Sequence, residues 1–179
     1  MLDLMMSDSF ENRLSGGHPN SLGDTLNVVD DILADQEKLT ELIECYDSSD
    51  EVVRLRTSNA LKRVQLARPS WLLRWTDHLL ENIAQIDQAS TQWTLAQIFR
   101  KMKPDLTDSQ YDRAVTILLS NLKHSNDWIV LTQTMETLSS WATRDDGLQK
   151  QLKPLLHKHG KDERRSVRNK AEKMLVKLI

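Results

Sequence analysis

The sequence contains an internal repeat with a period of 37 to 39 residues, and this repeat restricts the folds open to the chain more than any other feature. The four copies can be aligned on Val53, Thr91, Val130 and Val167. Eleven residues before each of these alignment points lies a leucine: Leu42, Leu80, Leu119 and Leu156. Self-similarity at such a period is typical of supersecondary units that stack and bury one face against the next unit.

Within each copy, apolar residues recur at the helical spacing of three and four residues. Offsets of 0, +4, +8 and +11 from an alignment point fall within about 80° on a helix of 3.6 residues per turn, so they form one buried stripe. No segment alternates between apolar and polar residues as a half-buried strand does. Helix starts are indicated by polar capping residues, namely Asp35, Ser48 with Glu51, Ser70, and Thr107 with Gln110. The sequence therefore predicts an all-α protein in which each copy is a pair of helices.

Two of the copies resemble HEAT repeats at the start of the second helix, where that family has an acidic turn, Val-Arg, a small residue and a leucine. The resemblance is carried by Asp50, Val53, Arg54 and Leu61 in one copy and by Val167, Arg168, Ala171 and Leu175 in the other. The middle copies have Gln92 and Leu131 in place of the arginine. A ladder of Asp-Arg turn contacts is therefore expected to be interrupted in these two copies.

The resemblance to HEAT and armadillo-like repeats covers about residues 36–179. It implies a right-handed α-α superhelix of about four helix pairs, an α-solenoid, and commonly a protein-binding role. A further helix over about residues 22–34 is expected to cap the stack. Residues 1–20 lack helical periodicity, so we expect a mobile or loosely packed N-terminal arm followed by one repeat domain over residues 21–179.

Charge is distributed unevenly along the chain, although the formal net charge is only −2. Residues 1–51 contain 13 acidic and 2 basic side chains, whereas residues 148–179 contain 3 acidic and 10 basic ones. Such asymmetry can steer charged partners or attract the opposite end of a second copy. The acidic first third is therefore a candidate self-association segment.

The residue types that usually perform catalysis or bind metals are not grouped in this sequence. His157 and His159 are two residues apart, which places them on different sides of a helix, and Cys45 lies at an apolar helical position. We therefore expect no catalytic residues, no metal and no cofactor. The single cysteine and the acids among the first ten residues predict a cytoplasmic protein without a secretory leader. No apolar run approaches the roughly 18 residues that a membrane span needs, so no span is expected.

The most specific functional signal is a set of cations on the second helices at offsets that point away from the core. Twenty such positions contain eight Lys or Arg side chains and one acid, Glu136. Trp93 lies among them and points away from the core stripe of its own helix. We call the candidate partner-binding set the basic ridge, and in a solenoid of helix pairs it would line the concave side: Arg56, Lys62, Arg63, Trp93, Arg100, Lys101, Lys170 and Lys173.

Functions of different classes follow from the basic ridge. The first is a non-catalytic scaffold or adaptor that binds an acidic segment of another protein. The second is a nucleic-acid-binding module in which the cations contact phosphates and Trp93 stacks on a base, although the pI near 6.2 is low for such a domain. An enzymatic variant of the second is a HEAT-like DNA glycosylase, a class that the resemblance brings in because some of its members use Trp and Asp against damaged bases.

Overall fold

The computed structural model describes residues 9–178, which contain ten α-helices and no strand. The all-α prediction is therefore confirmed over this part of the chain. The chain divides into two compact units, unit 1 over Met1–Trp75 and unit 2 over Thr76–Ile179. This boundary lies within the repeat domain that the sequence predicted to run from residue 21 to residue 179.

The described residues of unit 1, from residue 9 onward, contain four α-helices and three 3₁₀ segments. The α-helices are α1 (Phe10–Leu14), α2 (Thr25–Ala34), α3 (Leu39–Glu44) and α4 (Glu51–Ala67). The 3₁₀ segments are Gln36–Lys38, Cys45–Asp47 and Pro69–Trp75. Helix α4 is the second helix of a pair whose first member is α3 with its flanking 3₁₀ turns, and α2 also packs against α4.

Residues 9–20 differ from the loosely packed arm that the sequence predicted. The side chains of Phe10 and Leu14 are buried in unit 1. The Arg13 Nε lies 2.6 Å from a carboxylate oxygen of Asp24, and the Arg13 Nη1 lies 2.6 Å from one of Asp31. These ion pairs connect α1 to α2. The expectation is thus corrected for residues 9–20, because two buried apolar side chains and two ion pairs fix α1; residues 1–8 lie outside the described part of the chain.

Unit 2 contains three consecutive helix pairs. The first helices are α5 (Thr76–Glu81), α7 (Asp108–His124) and α9 (Asp146–His159). The second helices are α6 (Ala89–Met102), α8 (Trp128–Ala142) and α10 (Arg165–Lys177). Helix α8 packs between α6 and α10, so the three second helices form one continuous layer. This stacking of equivalent pairs is the arrangement that the 37- to 39-residue repeat predicted.

The core positions predicted by the repeat are buried. The four alignment points are each 0% exposed, and so are the aromatic or aliphatic side chains at Leu61, Phe99 and Leu138, at offset +8. The four leucines at offset −11 are also buried: Leu42, Leu80, Leu119 and Leu156. Leu175, at offset +8 on α10, is only half-buried.

The turns that precede the second helices repeat a specific contact. The Arg54 guanidinium donates a hydrogen bond to the carbonyl oxygen of Ser48 at 2.5 Å, and the Arg168 guanidinium donates to the carbonyl oxygen of Asp162 at 2.9 Å. These arginines occupy the same offset in their copies, and so do the two acceptors.

The two middle copies lack this arginine contact. In the second copy the Gln92 amide donates to the Asp87 carboxylate at 3.5 Å, and in the third copy Leu131 has no polar side chain to make such a contact. The expected interruption of an arginine contact in the two middle copies is therefore seen at both positions.

Helix starts follow the predicted capping chemistry in part. Thr107 and Gln110 form a reciprocal capping box at the start of α7, as predicted. At α4 the residue that accepts a hydrogen bond from the first turn is Asp50, whereas the Ser48 hydroxyl accepts from the backbone of Asp50. Ser70 lies inside a 3₁₀ segment instead of starting an α-helix.

Candidate functional site

Arg56 was predicted as a member of an exposed basic ridge, but it lies inside unit 1. Its side chain is 2% exposed. The guanidinium donates to five backbone carbonyl oxygens of the segment that joins α1 to α2, namely those of Leu14, Ser15, Gly16, His18 and Ser21, at 2.7 to 3.2 Å. Arg56 is therefore corrected from a partner contact to an anchor, because residues 14–23 of the chain itself occupy its donors.

The segment that covers Arg56 requires a glycine at the point where its backbone passes closest to the guanidinium. Gly23 has a φ of +53°, a conformation that residues other than glycine rarely adopt. A Cβ atom at this position would lie 2.9 Å from the guanidinium carbon of Arg56. The absence of a side chain at Gly23 thus allows the backbone to approach the guanidinium closely.

Lys62 and Arg63 are the remaining predicted ridge residues of unit 1. Lys62 is half-buried and Arg63 is exposed on α4. The Arg63 Nε donates to the Asn59 side-chain oxygen at 2.8 Å, one turn earlier on the same helix. These two cations therefore form part of the α4 surface of unit 1.

The other five predicted residues lie on second helices of unit 2. Helix α6 carries half-buried Trp93 and Arg100 and exposed Lys101, and helix α10 carries half-buried Lys170 and exposed Lys173. Helix α8 separates α6 from α10 and places Glu136 between their cations. We call this surface the second-helix face of unit 2 and define it by Trp93, Arg100, Lys101, Glu136, Lys170, Lys173 and Lys177.

Glu136 joins the three second helices through ion pairs. Its Oε2 accepts a hydrogen bond from the Lys170 ammonium at 2.7 Å, and its Oε1 lies 3.3 Å from the Arg100 Nη1. The hydrogen bond from Lys170, together with the positive charges of Lys170, Arg100 and Lys177, lowers the pKa of Glu136 below its ordinary value. Glu136 therefore stays ionised and neutralises part of the positive charge around it.

The second-helix face remains strongly positive after this pairing. It contains five cationic side chains and a single carboxylate. Lys101, Lys173 and Lys177 are exposed. The arrangement can therefore attract anionic groups, and the half-buried indole of Trp93 adds apolar surface on the same helix layer.

A polar cavity that the sequence analysis did not single out lies at the turns before α7 and α9. Its volume is about 500 Å³, and it is lined by Lys103, Leu106, Asp108, Tyr111, Arg144, Asp145 and Asp146. The Tyr111 hydroxyl donates to the Asp145 carboxylate at 2.8 Å. Burial and the Asp145 charge raise the pKa of Tyr111, so the phenol stays protonated. The lining residues come from separate turns, so no local motif in the sequence could have revealed this cavity.

A second cavity of about 320 Å³ lies beside the turns before α6 and α8. It is lined by Asp87, Ala89, Gln92, Ser120, Asn121, His124, Ser125, Asn126 and Asp127. Asp127 uses its carboxylate to cap α8, where it accepts from the backbone N–H groups of Ile129 and Val130. The Nδ1 of His124 faces the carbonyl oxygen of Ser120 at 3.0 Å. Asp127 and His124 are thus already engaged by backbone groups near helix ends.

Cys45 and His159, which could in principle supply nucleophilic or metal-binding chemistry, are both core residues. Cys45 is buried, and the loss of solvation raises the pKa of its thiol to about 12. His159 is also buried, and its Nε2 lies 2.9 Å from the carbonyl oxygen of Leu122. Within residues 9–178 no group of three or more His, Cys, Asp or Glu side chains is placed to bind a metal ion. Cys45 and His159 occupy the same core offset in their copies, which explains their burial.

The chain has limited similarity to known proteins. No protein-family model matches it, and neither does any curated protein sequence. Among solved structures the chain is similar to a designed armadillo repeat protein, with 13% sequence identity, coverage of 99% of this chain and 85% of the other, and a TM-score of 0.49. The fold is an all-α repeat of helix pairs.

The helical repeat fits the resemblance to HEAT and armadillo-like proteins that the sequence predicted, because equivalent pairs pack through equivalent residues. None of the helices in the described residues is long and apolar enough to cross a membrane.

Proposed function

We propose that this protein is a non-catalytic repeat scaffold that binds an acidic segment of a partner protein through the second-helix face of unit 2. The observation that carries the proposal is the convergence of Arg100, Lys170 and Lys177 on the Glu136 carboxylate, with exposed Lys101 and Lys173 on the same two cation-bearing helices. A stacked repeat offers such a surface because each second helix presents equivalent offsets side by side.

The partner chemistry follows from the mixture of groups on this face. Exposed Lys101 and Lys173 favour carboxylates, while half-buried Trp93 favours an apolar side chain. Aromatic residues commonly anchor protein interfaces, and surrounding charges set the specificity and the association rate. We therefore propose an acidic segment that also carries at least one large apolar residue.

A second copy of the same chain is one source of the acidic segment under this proposal. Unit 1 exposes Glu11, Asp30, Glu37, Glu44 and Asp47. Charge complementarity between this unit and the second-helix face of another copy would produce concentration-dependent association that weakens with salt. Sedimentation velocity at rising protein concentration, at low and high salt, tests this source of the segment.

Nucleic acid is the second candidate partner. The same cations can contact phosphates, and the indole of Trp93 can stack on a base. The sequence pI near 6.2 favours a protein partner instead, because nucleic-acid-binding domains are usually basic overall.

The proposal also includes a cytoplasmic location, which we infer from the single cysteine of the sequence.

One experiment separates the two partner classes. Fluorescence anisotropy is measured for a labelled peptide of alternating Glu and Leu and for a labelled single-stranded oligonucleotide, each at salt concentrations from about 50 to 200 mM. The scaffold proposal predicts tighter binding of the peptide, and also loss of affinity when Leu is replaced by Ser. Tighter binding of the oligonucleotide, with an affinity that falls steeply with salt and ignores base sequence, would favour the nucleic-acid function.

A further inference from the structure

The centre of the second-helix face is occupied by a side chain of the opposite charge. Glu136 on α8 faces Arg100 from the preceding second helix and Lys170 from the following one, at 3.3 Å and 2.7 Å. Its carboxylate therefore lies at the point where the positive charges of α6 and α10 converge. An acidic side chain of a partner would be attracted to this same point.

The ion pairs of Glu136 are accessible to exchange. The side chains of Glu136, Arg100 and Lys170 are 36%, 28% and 25% exposed, so all three reach solvent. Ion pairs of this exposure contribute little to stability, because water and salt screen them and because ordering long side chains costs entropy. The carboxylate of Glu136 can thus move into solvent at modest cost if another anion takes its place.

The Arg100 guanidinium has unused hydrogen-bonding capacity in this arrangement. Its Nη1 is shielded from solvent and makes no hydrogen bond within the described residues, although it faces Glu136 Oε1. Lys170 uses its ammonium for the hydrogen bond to Glu136. Once Glu136 moves into solvent, a carboxylate presented from outside can take its place beside Arg100 and accept a charge-assisted hydrogen bond from the guanidinium.

We propose that Glu136 is an internal competitor that holds the place of the partner's acidic side chain between Arg100 and Lys170. The inference rests on the proposed function and identifies the residue that limits the affinity of the second-helix face. Binding is then an exchange in which a partner carboxylate replaces that of Glu136. Segments with few acidic residues bind weakly because their attraction to the cations does not offset the free energy needed to displace Glu136. Glu136 therefore also sets a selectivity for segments with many acidic residues.

The test compares two charge-neutralising substitutions that lie in unit 2 and are made in the full chain. Glu136→Gln removes the competing charge while its amide oxygen can still accept from Lys170. Glu81→Gln is the matched control, because Glu81 is an exposed carboxylate of the same unit that pairs with Arg113 on the first helices. Both variants change the net charge by the same amount, so any difference between them reports the position of the charge.

Anisotropy titrations with the labelled Glu-Leu peptide measure the effect of each variant. Glu136→Gln should lower the Kd about fivefold, the size expected for removing one partly exposed charge that contacts the same cations, and Glu81→Gln should change it by less than about twofold. Thermal unfolding of both variants verifies that each is folded.

The outcomes separate the inference from the function on which it rests. If Lys101→Glu weakens peptide binding but Glu136→Gln leaves it unchanged or weakens it, the face binds the peptide and the competitor role of Glu136 is wrong. An equal gain from both variants would mean that only the net charge acts, which also overturns the inference. If the peptide does not bind any of the variants or the wild type, the proposed function itself has failed.

Discussion

Arg56 shows what a residue's helical phase can and cannot reveal. Its offset on α4 points away from the stripe that α4 buries against its own pair, so the sequence predicted an exposed cation. The structure instead places the segment after α1 over this side of α4, and the guanidinium organises that segment. The phase of one helix contains no information about a distant segment that covers it, and residues 9–20 showed no periodicity that would have indicated packing.

Replacing Arg56 tests its anchoring role. Arg56→Ala should lower the free energy of unfolding by about 2 to 4 kcal/mol, because hydrogen bonds to a charged group are lost and buried carbonyl groups lose their donor. The segment over residues 14–21 should also become sensitive to limited proteolysis. Arg63→Ala removes an exposed arginine of the same helix, so it is the matched control and should cost less than about 0.5 kcal/mol. Equal stability of the two variants would show that Arg56 is not an anchor.

Asp162 provides a prediction of pH dependence. Its carboxylate accepts hydrogen bonds from the side chain and the backbone of Arg164, and these contacts lower its pKa to about 2. A carboxylate with a lowered pKa stabilises the folded state above its ordinary value of 3.8, and this contribution is lost as the pH falls through the lower value. Stability should therefore decline between about pH 4 and pH 2, in part through Asp162.

Urea unfolding at a series of acidic pH values measures this contribution. Asp162→Asn should show a smaller decline of the urea midpoint than the wild type across this range, since the variant has no carboxylate to protonate at that turn. The exposed neighbour supplies a control, Glu163→Gln, which should keep the decline of the wild type. An unchanged decline in Asp162→Asn would show that the turn does not contribute through this carboxylate.

At the scale of the helices, the second helices could be predicted better than the first. The stripe of each second helix contains the alignment points and the offset +4 and +8 positions, nearly all of them buried. The first helices of the earlier copies are instead short α-helices continued by 3₁₀ turns, such as Thr76–Glu81 with Ile83–Gln85. Periodicity of apolar residues does not distinguish a 3₁₀ turn from an α-helical one over a few residues, so these breaks were missed.

Core packing of the repeat gives a prediction at this scale. Leu119 on α7 is 6% exposed and occupies the leucine position shared by all four copies. Leu119→Ala should lower the free energy of unfolding by about 2 to 5 kcal/mol, because it opens a cavity between the helices of a pair. Val176→Ala on α10 removes methyl groups from a side chain that is 70% exposed and should change stability by less than about 0.5 kcal/mol. Similar small losses in both variants, measured by urea unfolding, would contradict the repeat alignment.

For the whole molecule, the net charge of −2 conceals the feature on which the proposed function depends. The repeat made it possible to interpret the outward offsets of adjacent second helices as neighbours, and in unit 2 Glu136 at offset +6 pairs with Arg100 at +9 and Lys170 at +3. The sequence could not show which of the cations were already engaged, since that depends on side-chain distances between helices. Lys101 and Lys173 are the exposed members best placed to meet a partner.

Peptide affinity after reversal of these two charges tests the role of the second-helix face most directly. The labelled Glu-Leu peptide is titrated against the wild type, Lys101→Glu/Lys173→Glu, and a control, Lys150→Glu/Lys158→Glu, which reverses two exposed lysines of α9 and produces the same net charge. Reversal on the second-helix face should raise the Kd about tenfold or more, while reversal on α9 should raise it less than about threefold. If the two double variants bind the peptide equally, the peptide responds to net charge alone, and the second-helix face is not a binding site.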